Sequence, residues 1–342
     1  MPPSPADDLP PVQPPSAGFL VQLFVVPGII VAIIVVVWVL VDWLAHMESD
    51  PQKYVDGLRR NGDDAWRQAD NLAEMLHSSR GDELKGNARL AATLAEILDE
   101  RIAAGKMDES SINLRFFLSK ALGEFNTPDG LPVLLKAATT NRDPKETPVR
   151  EAAIDAISSS IAKLPAANSG GSIDRQALMT VLLEASRDPE AAIRLRAAHA
   201  LGVVGGEQAS SRLVKMLDDP QNDVAFNSAI SLANRGDPRS IDTLLKMIDP
   251  ESSRALLKPS DTDAKSTATD GPDRQVDAGL LVAGLRALST LADMNPDADL
   301  SRAEPLVASL RDRRFPLEVR DGAMALSIKL EKRLRPAGAA PR

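Results

Sequence analysis

The stretch IRLRAAHALGVVG, residues 193–205, decides the fold. A diverged copy of it, VAFNSAISLANRG, occupies residues 224–236. The match continues with the same offset into the segments that follow, where LVKML at 213–217 corresponds to LLKMI at 244–248. Agreement through two segments and the turns between them indicates an internal repeat rather than a chance likeness.

Apolar residues in both copies recur with helical spacing, but many of the inner positions hold alanine. A unit of two short helices with so little apolar surface has to stack on its neighbours, as the units of a solenoid do. We therefore expect Ala197, Ala198 and Ala200 to let adjacent helices approach closely, while Leu201 fills the space beside them. The sequence predicts an all-α fold, an α-α superhelix.

Further copies extend the predicted repeat domain to residues 51–335. Asp-Pro pairs mark many of the turns, because Asp caps a helix and Pro suits its first position. The other first helices begin with LRFF at 114, VREA at 149, AGLL at 278 and LEVR at 317. Polar inserts at 166–172 and 258–274 lengthen the distance in sequence between successive repeat units. We expect the second insert to be disordered, like the tails at 1–18 and 336–342.

Residues 188–220, DPEAAIRLRAAHALGVVGGEQASSRLVKMLDDP, resemble a HEAT repeat of the short type that also occurs in phycobilisome lyases. The resemblance is clearest over residues 188–249 and extends with fewer matches over 110–187. It implies an α-α superhelix that presents a concave surface to a protein partner. It does not imply bilin chemistry, because the sequence offers no residues specific to that chemistry.

The segment Phe19–Val41 contains no charged side chain. As a helix it would reach roughly 34 Å, enough for a hydrocarbon core of about 30 Å, so we expect a single transmembrane helix at 19–43. The alternative is a cleaved signal peptide, but the chain starts with a Pro-rich, acidic region instead of a basic one. Lys53, Arg59 and Arg60 follow the span and no basic residue precedes it. This asymmetry predicts a cytoplasmic C-terminal domain.

One set of candidate residues is predicted to be structural. Arg150, Arg194 and Arg320 follow Val or Ile at equivalent repeat positions. We expect each to bond to carbonyl groups of a neighbouring turn or to an aspartate such as Asp188 or Asp219. The rigid fork of the guanidinium group suits fixed contacts of this kind.

A second set of basic residues is predicted to bind a partner. Lys136, Lys215 and Lys246 each follow two aliphatic residues in a second helix. Because equivalent positions line up along one face of a solenoid, these lysines, together with Arg212, are candidates for binding an acidic protein. Glu184 interrupts the row. The alternative is an ordinary solvated face.

Composition and motifs argue against several other functions. The chain has no cysteine, which excludes thiolate metal sites and cysteine nucleophiles. None of its three histidines is followed by Glu, so the His-Glu iron ligands of some helical-repeat hydroxylases are missing. There is no glycine-rich phosphate loop and no G-x-S-x-G. A net charge of −8 with few aromatic residues is unlike a nucleic-acid binder. We expect no cofactor, no metal and no catalysis.

These features together predict a membrane-anchored HEAT-repeat scaffold or adaptor. It would bind a protein partner, whose identity the sequence does not reveal, through scattered polar contacts along its second helices. The alternative is a lyase-like or other enzyme-associated subunit that acts on a cofactor-bearing protein.

Overall fold

The computed structural model describes residues 18, 21, 25–47, 51–59, 64–164, 173–252 and 278–334. Throughout this part of the chain the structure is helical and contains no strand, which confirms the all-α class. The predicted tails and both polar inserts lie outside the described residues, apart from Gly18. The chain divides into two compact units, Met1–Tyr54 and Val55–Arg342.

The first unit contains helix α1 (Val26–Met47), whose apolar side chains up to Val41 are exposed. Within the described ranges, no helix combines the length and the apolar content needed to cross a membrane. This finding contradicts the predicted single-pass membrane location with a cytoplasmic C-terminal domain. It also lends no support to the predicted transmembrane helix at 19–43 or to the predicted membrane contact through Phe19–Val41, a run of which residues 19, 20 and 22–24 lie outside the described residues.

The second unit is a stack of helix pairs. Along the described chain the helices are α2 (Pro51–Arg59), α3 (Ala65–His77), α4 (Ala88–Ala104), α5 (Glu109–Leu122), α6 (Leu131–Thr139), α7 (Thr147–Lys163), α8 (Arg175–Ala185), α9 (Ala191–Val204), α10 (Glu207–Met216), α11 (Asn222–Ala233), α12 (Ile241–Ile248), α13 (Ala278–Met294), α14 (Glu304–Ser309) and α15 (Leu317–Leu334). Short 3₁₀ turns such as Pro144–Glu146 and Pro238–Ser240 join several of them.

These helices alternate between two layers. The odd-numbered helices from α3 to α15 form the first-helix layer, in which each helix packs on the next one of its kind. The even-numbered helices from α4 to α14 form the second-helix layer, and each packs against a neighbouring first helix. Two such layers make an all-α solenoid of stacked pairs.

The sequence repeat is visible in the backbone. Helix α9 begins at Ala191 and α11 at Asn222, which are equivalent positions of the two copies. Gly205 and Gly236, the last residues of the two copies, both have positive φ angles, of 70° and 73°. Glycine adopts a positive φ angle without strain, and both copies place it in the turn that follows the first helix, directly after α9 and three residues after the end of α11.

Alanine is frequent because the first helices lie very close together. Ala197, Ala198 and Ala200 of α9 are fully buried. A Cβ atom added to Gly202 would lie 2.7 Å from the Cβ atom of Ser231 on α11, closer than any real contact. The Oγ atom of Ser231 also donates a hydrogen bond of 3.1 Å to the carbonyl of Ala198. Small residues therefore permit the contact between α9 and α11.

Candidate functional site

A groove runs across four consecutive first helices, α3, α5, α7 and α9. Its cavity has a volume of about 510 Å³. Small residues form its floor, aromatic rings lie at one part of its wall, and acidic side chains line much of the rest. We call this feature the first-helix groove.

The floor of the first-helix groove consists of Ala73, Gly123, Ala152 and Ala156, all of them buried. A Cβ atom on Gly123 would lie 2.8 Å from the Cα atom of Ala156, so only glycine fits there. Longer side chains at these positions would fill the space between the helices. The small residues therefore have two effects: they allow the helices to pack closely, and they leave the space that forms the groove.

The aromatic residue of the wall is Phe116 on α5, which belongs to a cluster of three rings. The rings of Phe116 and Phe117 meet edge to face with centroids 5.0 Å apart, and Phe117 stacks on Trp66 of α3 at 6.0 Å. The ammonium group of Lys120 lies 5.6 Å and 5.7 Å from the centroids of Phe116 and Phe117. All three rings are partly exposed, so they combine apolar contact area with faces that attract cations.

Glu124, at the end of α5, is an acidic group of the groove whose charge is already matched. Its Oε2 atom accepts a 2.6 Å hydrogen bond from Nζ of Lys163, and its Oε1 atom lies 2.9 Å from Nδ1 of His77. Burial opposes ionisation of this carboxyl group, but the contacts with Lys163 and His77 outweigh it and lower its pKa. Glu124 therefore holds α3, α5 and α7 together.

A second acidic pair lies on α7 and is matched more loosely. Glu151 and Asp155 are one helical turn apart, and both face Arg196 of α9. The distances are 3.5 Å from Nε of Arg196 to Glu151 and 3.4 Å from Nη1 of Arg196 to Asp155. Burial raises the pKa of Asp155, and the positive charge of Arg196 offsets this effect only in part.

The predicted structural arginines contact aspartates of the following repeat. Arg194 donates from Nε and Nη2 to both carboxylate oxygens of Asp219, at 2.8 Å each, and its Nη1 atom donates to the carbonyl of Asp188. Arg150 pairs with the Asp188 carboxylate and also donates to the carbonyl of Ala138. Each arginine thus binds the turn of the following repeat.

The same link occurs one repeat earlier, at residues that the sequence interpretation did not select. Arg115 on α5 is 1% exposed, and its Nη1 atom donates a 2.6 Å hydrogen bond to Glu146, which is also 1% exposed. Arg142 donates to Glu146 from Nη2 at 2.6 Å and from its backbone amide at 2.8 Å. Burial disfavours the Glu146 anion, but these donors outweigh it and lower its pKa to about 2.

Arg320 behaves differently from Arg150 and Arg194. It lies on α15, partly buried, and within the described part of the chain its Nε atom has no hydrogen-bond partner. At the equivalent position of α11 the arginine is replaced by Ala225, which is buried. The series of inter-repeat arginine contacts therefore runs from Arg115 to Arg194 in this structure.

The predicted partner-binding residues all lie in the second-helix layer, away from the groove. Lys136 on α6 is exposed, and its Nζ atom lies 2.5 Å from the Asp99 carboxylate on α4. Lys215 and Lys246 are exposed on α10 and α12. Arg212 is partly buried and donates to the side chain and carbonyl of Ser186, both at 2.7 Å. Burial and the nearby Arg187 lower the pKa of Arg212.

The groove offers several kinds of contact to a ligand, since it combines hydrogen-bond acceptors, cations and a ring face. Among the described residues, no group of three or more His, Asp or Glu side chains is placed to hold a metal ion.

Comparisons with known proteins agree with this architecture. The family model described as HEAT repeats matches residues 176–257. The chain is similar to an archaeal HEAT-like repeats protein from Thermococcus onnurineus, with 13% identity over 78% of this chain and 98% of that one and a TM-score of 0.44. A designed armadillo repeat protein is 18% identical over 82% of this chain and 99% of that one, with a TM-score of 0.40. An engineered protein is 16% identical over 83% of this chain and 98% of that one, with a TM-score of 0.37.

The comparison with curated proteins gave no match. The observed helix pairs define the class of protein, an all-α solenoid of stacked helix pairs, and the HEAT-repeats model matches its residues 176–257.

Proposed function

We propose that this protein is a non-catalytic scaffold that binds a segment of another protein in the first-helix groove. The observation that carries the proposal is the groove itself, which is open to solvent and crosses four helices of different repeats. A solenoid surface of this kind is extended, so it suits a chain segment that contacts several repeats in turn.

Phe116 supports binding because it offers rigid contact area in the groove. Its ring is held by that of Phe117, which stacks on Trp66, and it is only partly buried by the protein. An aromatic side chain that is fixed in advance loses little conformational entropy when a partner covers it. Phe116 is therefore a candidate for the residue that contributes most to affinity.

The row formed by Lys215 and Lys246 remains a second candidate surface on the opposite layer. Both lysines are exposed and follow the repeat, as a cationic surface for an acidic partner requires. The contact between Lys136 and Asp99 weighs against a continuous row, because a carboxylate already accompanies the first lysine. The groove offers a deeper and more varied set of contacts, and we rank it first.

The test is affinity capture with the full-length protein as bait, in wild-type form and in three double variants. Glu151→Lys with Asp155→Lys alters the groove, and Lys215→Glu with Lys246→Glu alters the lysine surface. Glu96→Lys with Glu100→Lys is the control, because it makes the same change of charge at two exposed positions one turn apart in the second-helix layer. Circular dichroism checks that each variant is folded.

We expect a captured protein that the wild type and the control retain and the groove variant loses. Loss only in the lysine variant would move the binding site to the second-helix layer. If no protein binds the wild type better than it binds a heat-unfolded bait, the scaffold proposal fails.

A further inference from the structure

We infer that the first-helix groove takes an extended segment with basic side chains next to apolar ones. This inference rests on the proposed function and specifies the chemistry of the partner. Four carboxylates line the groove, those of Glu74, Glu124, Glu151 and Asp155. Glu124 is paired with Lys163, so three carboxylates stand against Lys120 and Arg196, the two permanent cations of the lining. This excess of negative charge favours an occupant that carries positive charge.

The basic side chains of the occupant would lie beside Glu151 and Asp155. Each carboxylate has two oxygens that accept several hydrogen bonds, and Arg196 reaches the two groups only at 3.5 Å and 3.4 Å. A charge-assisted hydrogen bond is shorter, about 2.7–2.9 Å, so both carboxylates keep unused acceptor capacity. Glu124 does not, because Lys163 and His77 already contact both of its oxygens.

The apolar side chains of the occupant would contact Phe116 on α5 and the alanines of the floor. Phe116 lines the groove beside Lys120, and Ala152 and Ala156 adjoin Glu151 and Asp155 on the same helix. Successive side chains of an extended segment point to opposite faces, so the basic and apolar side chains that enter the groove lie two residues apart. A purely polar basic segment would leave the apolar surface exposed to water.

The geometry also limits the length of the segment. Helices in contact have axes about 8–10 Å apart, so the line from α3 to α9 is about 25–30 Å long. An extended chain advances about 3.3 Å per residue and crosses this distance in about eight or nine residues. The groove therefore fits a short linear segment.

The experiment measures fluorescence anisotropy with three labelled peptides of about nine residues, the length that an extended chain needs to cross the groove, and the purified full-length protein. One peptide carries Arg and Leu in turn at every second position, with Ser between them, so that both point to the same face of the extended chain. The second has Gln in place of Arg, and the third has Glu in place of Arg. We expect the basic peptide to bind about tenfold more tightly than the Gln peptide, because charge-assisted contacts exceed neutral ones, and we expect the Glu peptide not to bind. Binding of the basic peptide should weaken with added salt.

The variants make the result specific to the groove. Glu151→Lys with Asp155→Lys should lower the affinity for the basic peptide about tenfold or more, and the control Glu96→Lys with Glu100→Lys should leave it unchanged. Phe116→Ala should weaken the Arg-Leu peptide more than an otherwise equal Arg-Ser peptide. Equal loss in the groove variant and the control would overturn the inference, because the binding would then be non-specific.

A peptide with the sequence of residues 1–18, which is Pro-rich and acidic, tests the chain's own tail as occupant. Tighter binding of this peptide than of the basic one would also overturn the inference. If the captured partner depends on the groove while the basic peptides do not bind, only the inference about charge fails. If capture fails as well, the scaffold proposal fails with it.

Discussion

Arg194 and Asp219 join two successive repeats through a pair of parallel hydrogen bonds, each 2.8 Å long. Both side chains are mostly buried, at 12% and 8% exposed. The pairing lowers the pKa of Asp219 and raises that of Arg194. An arginine near the start of one first helix thus fixes the turn that precedes the next, so the link sets how consecutive repeats are oriented.

Arg194→Lys should destabilise the protein by about 2 kcal/mol, because a lysine cannot reproduce two parallel hydrogen bonds to one carboxylate. Urea unfolding followed by circular dichroism measures this change. Arg187→Lys is the control, since Arg187 is exposed on the adjacent turn and its Nη1 atom reaches only the carbonyl of Leu183 at 3.3 Å. Equal stability of the Arg194 variant and the wild type would show that the pairing does not stabilise the repeat interface.

Glu146→Gln should destabilise the protein by about 3 kcal/mol at neutral pH, because removing one partner from a buried charge cluster leaves the remaining charge uncompensated. The substitution keeps the size of the side chain but removes the charge between Arg115, which is fully buried, and Arg142. Thermal and urea unfolding at pH 7 measure the loss.

The same residue predicts a loss of stability in acid. The folded-state pKa of Glu146 is about 2, below its ordinary value of 4.5. Because the pKa is lower in the folded state, ionised Glu146 stabilises that state at pH values above about 4.5. This stabilisation is lost as the pH falls from about 4.5 towards 2. The share of Glu146 is on the order of 3 kcal/mol. Urea unfolding at pH 7 and at pH 3 should therefore show a smaller acid-induced loss in Glu146→Gln than in the wild type. An equal loss in both proteins would contradict the prediction.

Ala198→Phe should destabilise the protein by about 1–3 kcal/mol, because the larger side chain overpacks the contact between α9 and α11. Ala198 is fully buried, and its carbonyl accepts the hydrogen bond from Ser231. His199→Phe introduces the same ring at the next residue, which is exposed, and should change the unfolding midpoint little. If the two variants have the same unfolding midpoint, Ala198 does not lie in a close helix contact.

The sequence was sufficient to predict the helix pairs because their signals are local. Helical spacing, Asp-Pro turns and the constant offset between equivalent positions all lie within two adjacent copies, at 193–205 and 224–236. The contact of Arg115 with Glu146 carried a usable signal as well, since Leu114 and Arg115 match Ile193 and Arg194. Glu146, the acidic partner of Arg115, carried no such signal, because the number of residues between each arginine and its acidic partner differs between repeats.

The membrane prediction and the groove depended on properties that a repeat pattern does not contain. The uncharged run Phe19–Val41 predicts a spanning helix from composition alone, whereas no helix within the described residues is long and apolar enough to cross a membrane. The groove arises where Ala73, Gly123 and Ala156 come together from three repeats. Small residues that are scattered in sequence give no sign that they share one surface.

Gly202→Ala is expected to destabilise the protein although alanine is the better helix former. In an exposed helix the exchange would gain about 1 kcal/mol. Here the new Cβ atom would lie 2.7 Å from the Cβ atom and 3.3 Å from the Cα atom of Ser231, so α9 and α11 would have to move apart. Overpacking of this kind costs about 1–3 kcal/mol, which exceeds the gain in helix propensity.

The pair Gly202→Ala and Ser231→Gly tests this contact in a double-mutant cycle. Ser231→Gly removes the clashing Cβ atom, so the double variant should be more stable than the sum of the two single changes by about 1 kcal/mol or more. The cost of Ser231→Gly itself, which includes the lost hydrogen bond to Ala198, cancels in the cycle. Additive effects would mean that the two residues do not touch. In that case α9 and α11 would not lie close together, and their packing would not account for the abundance of alanine.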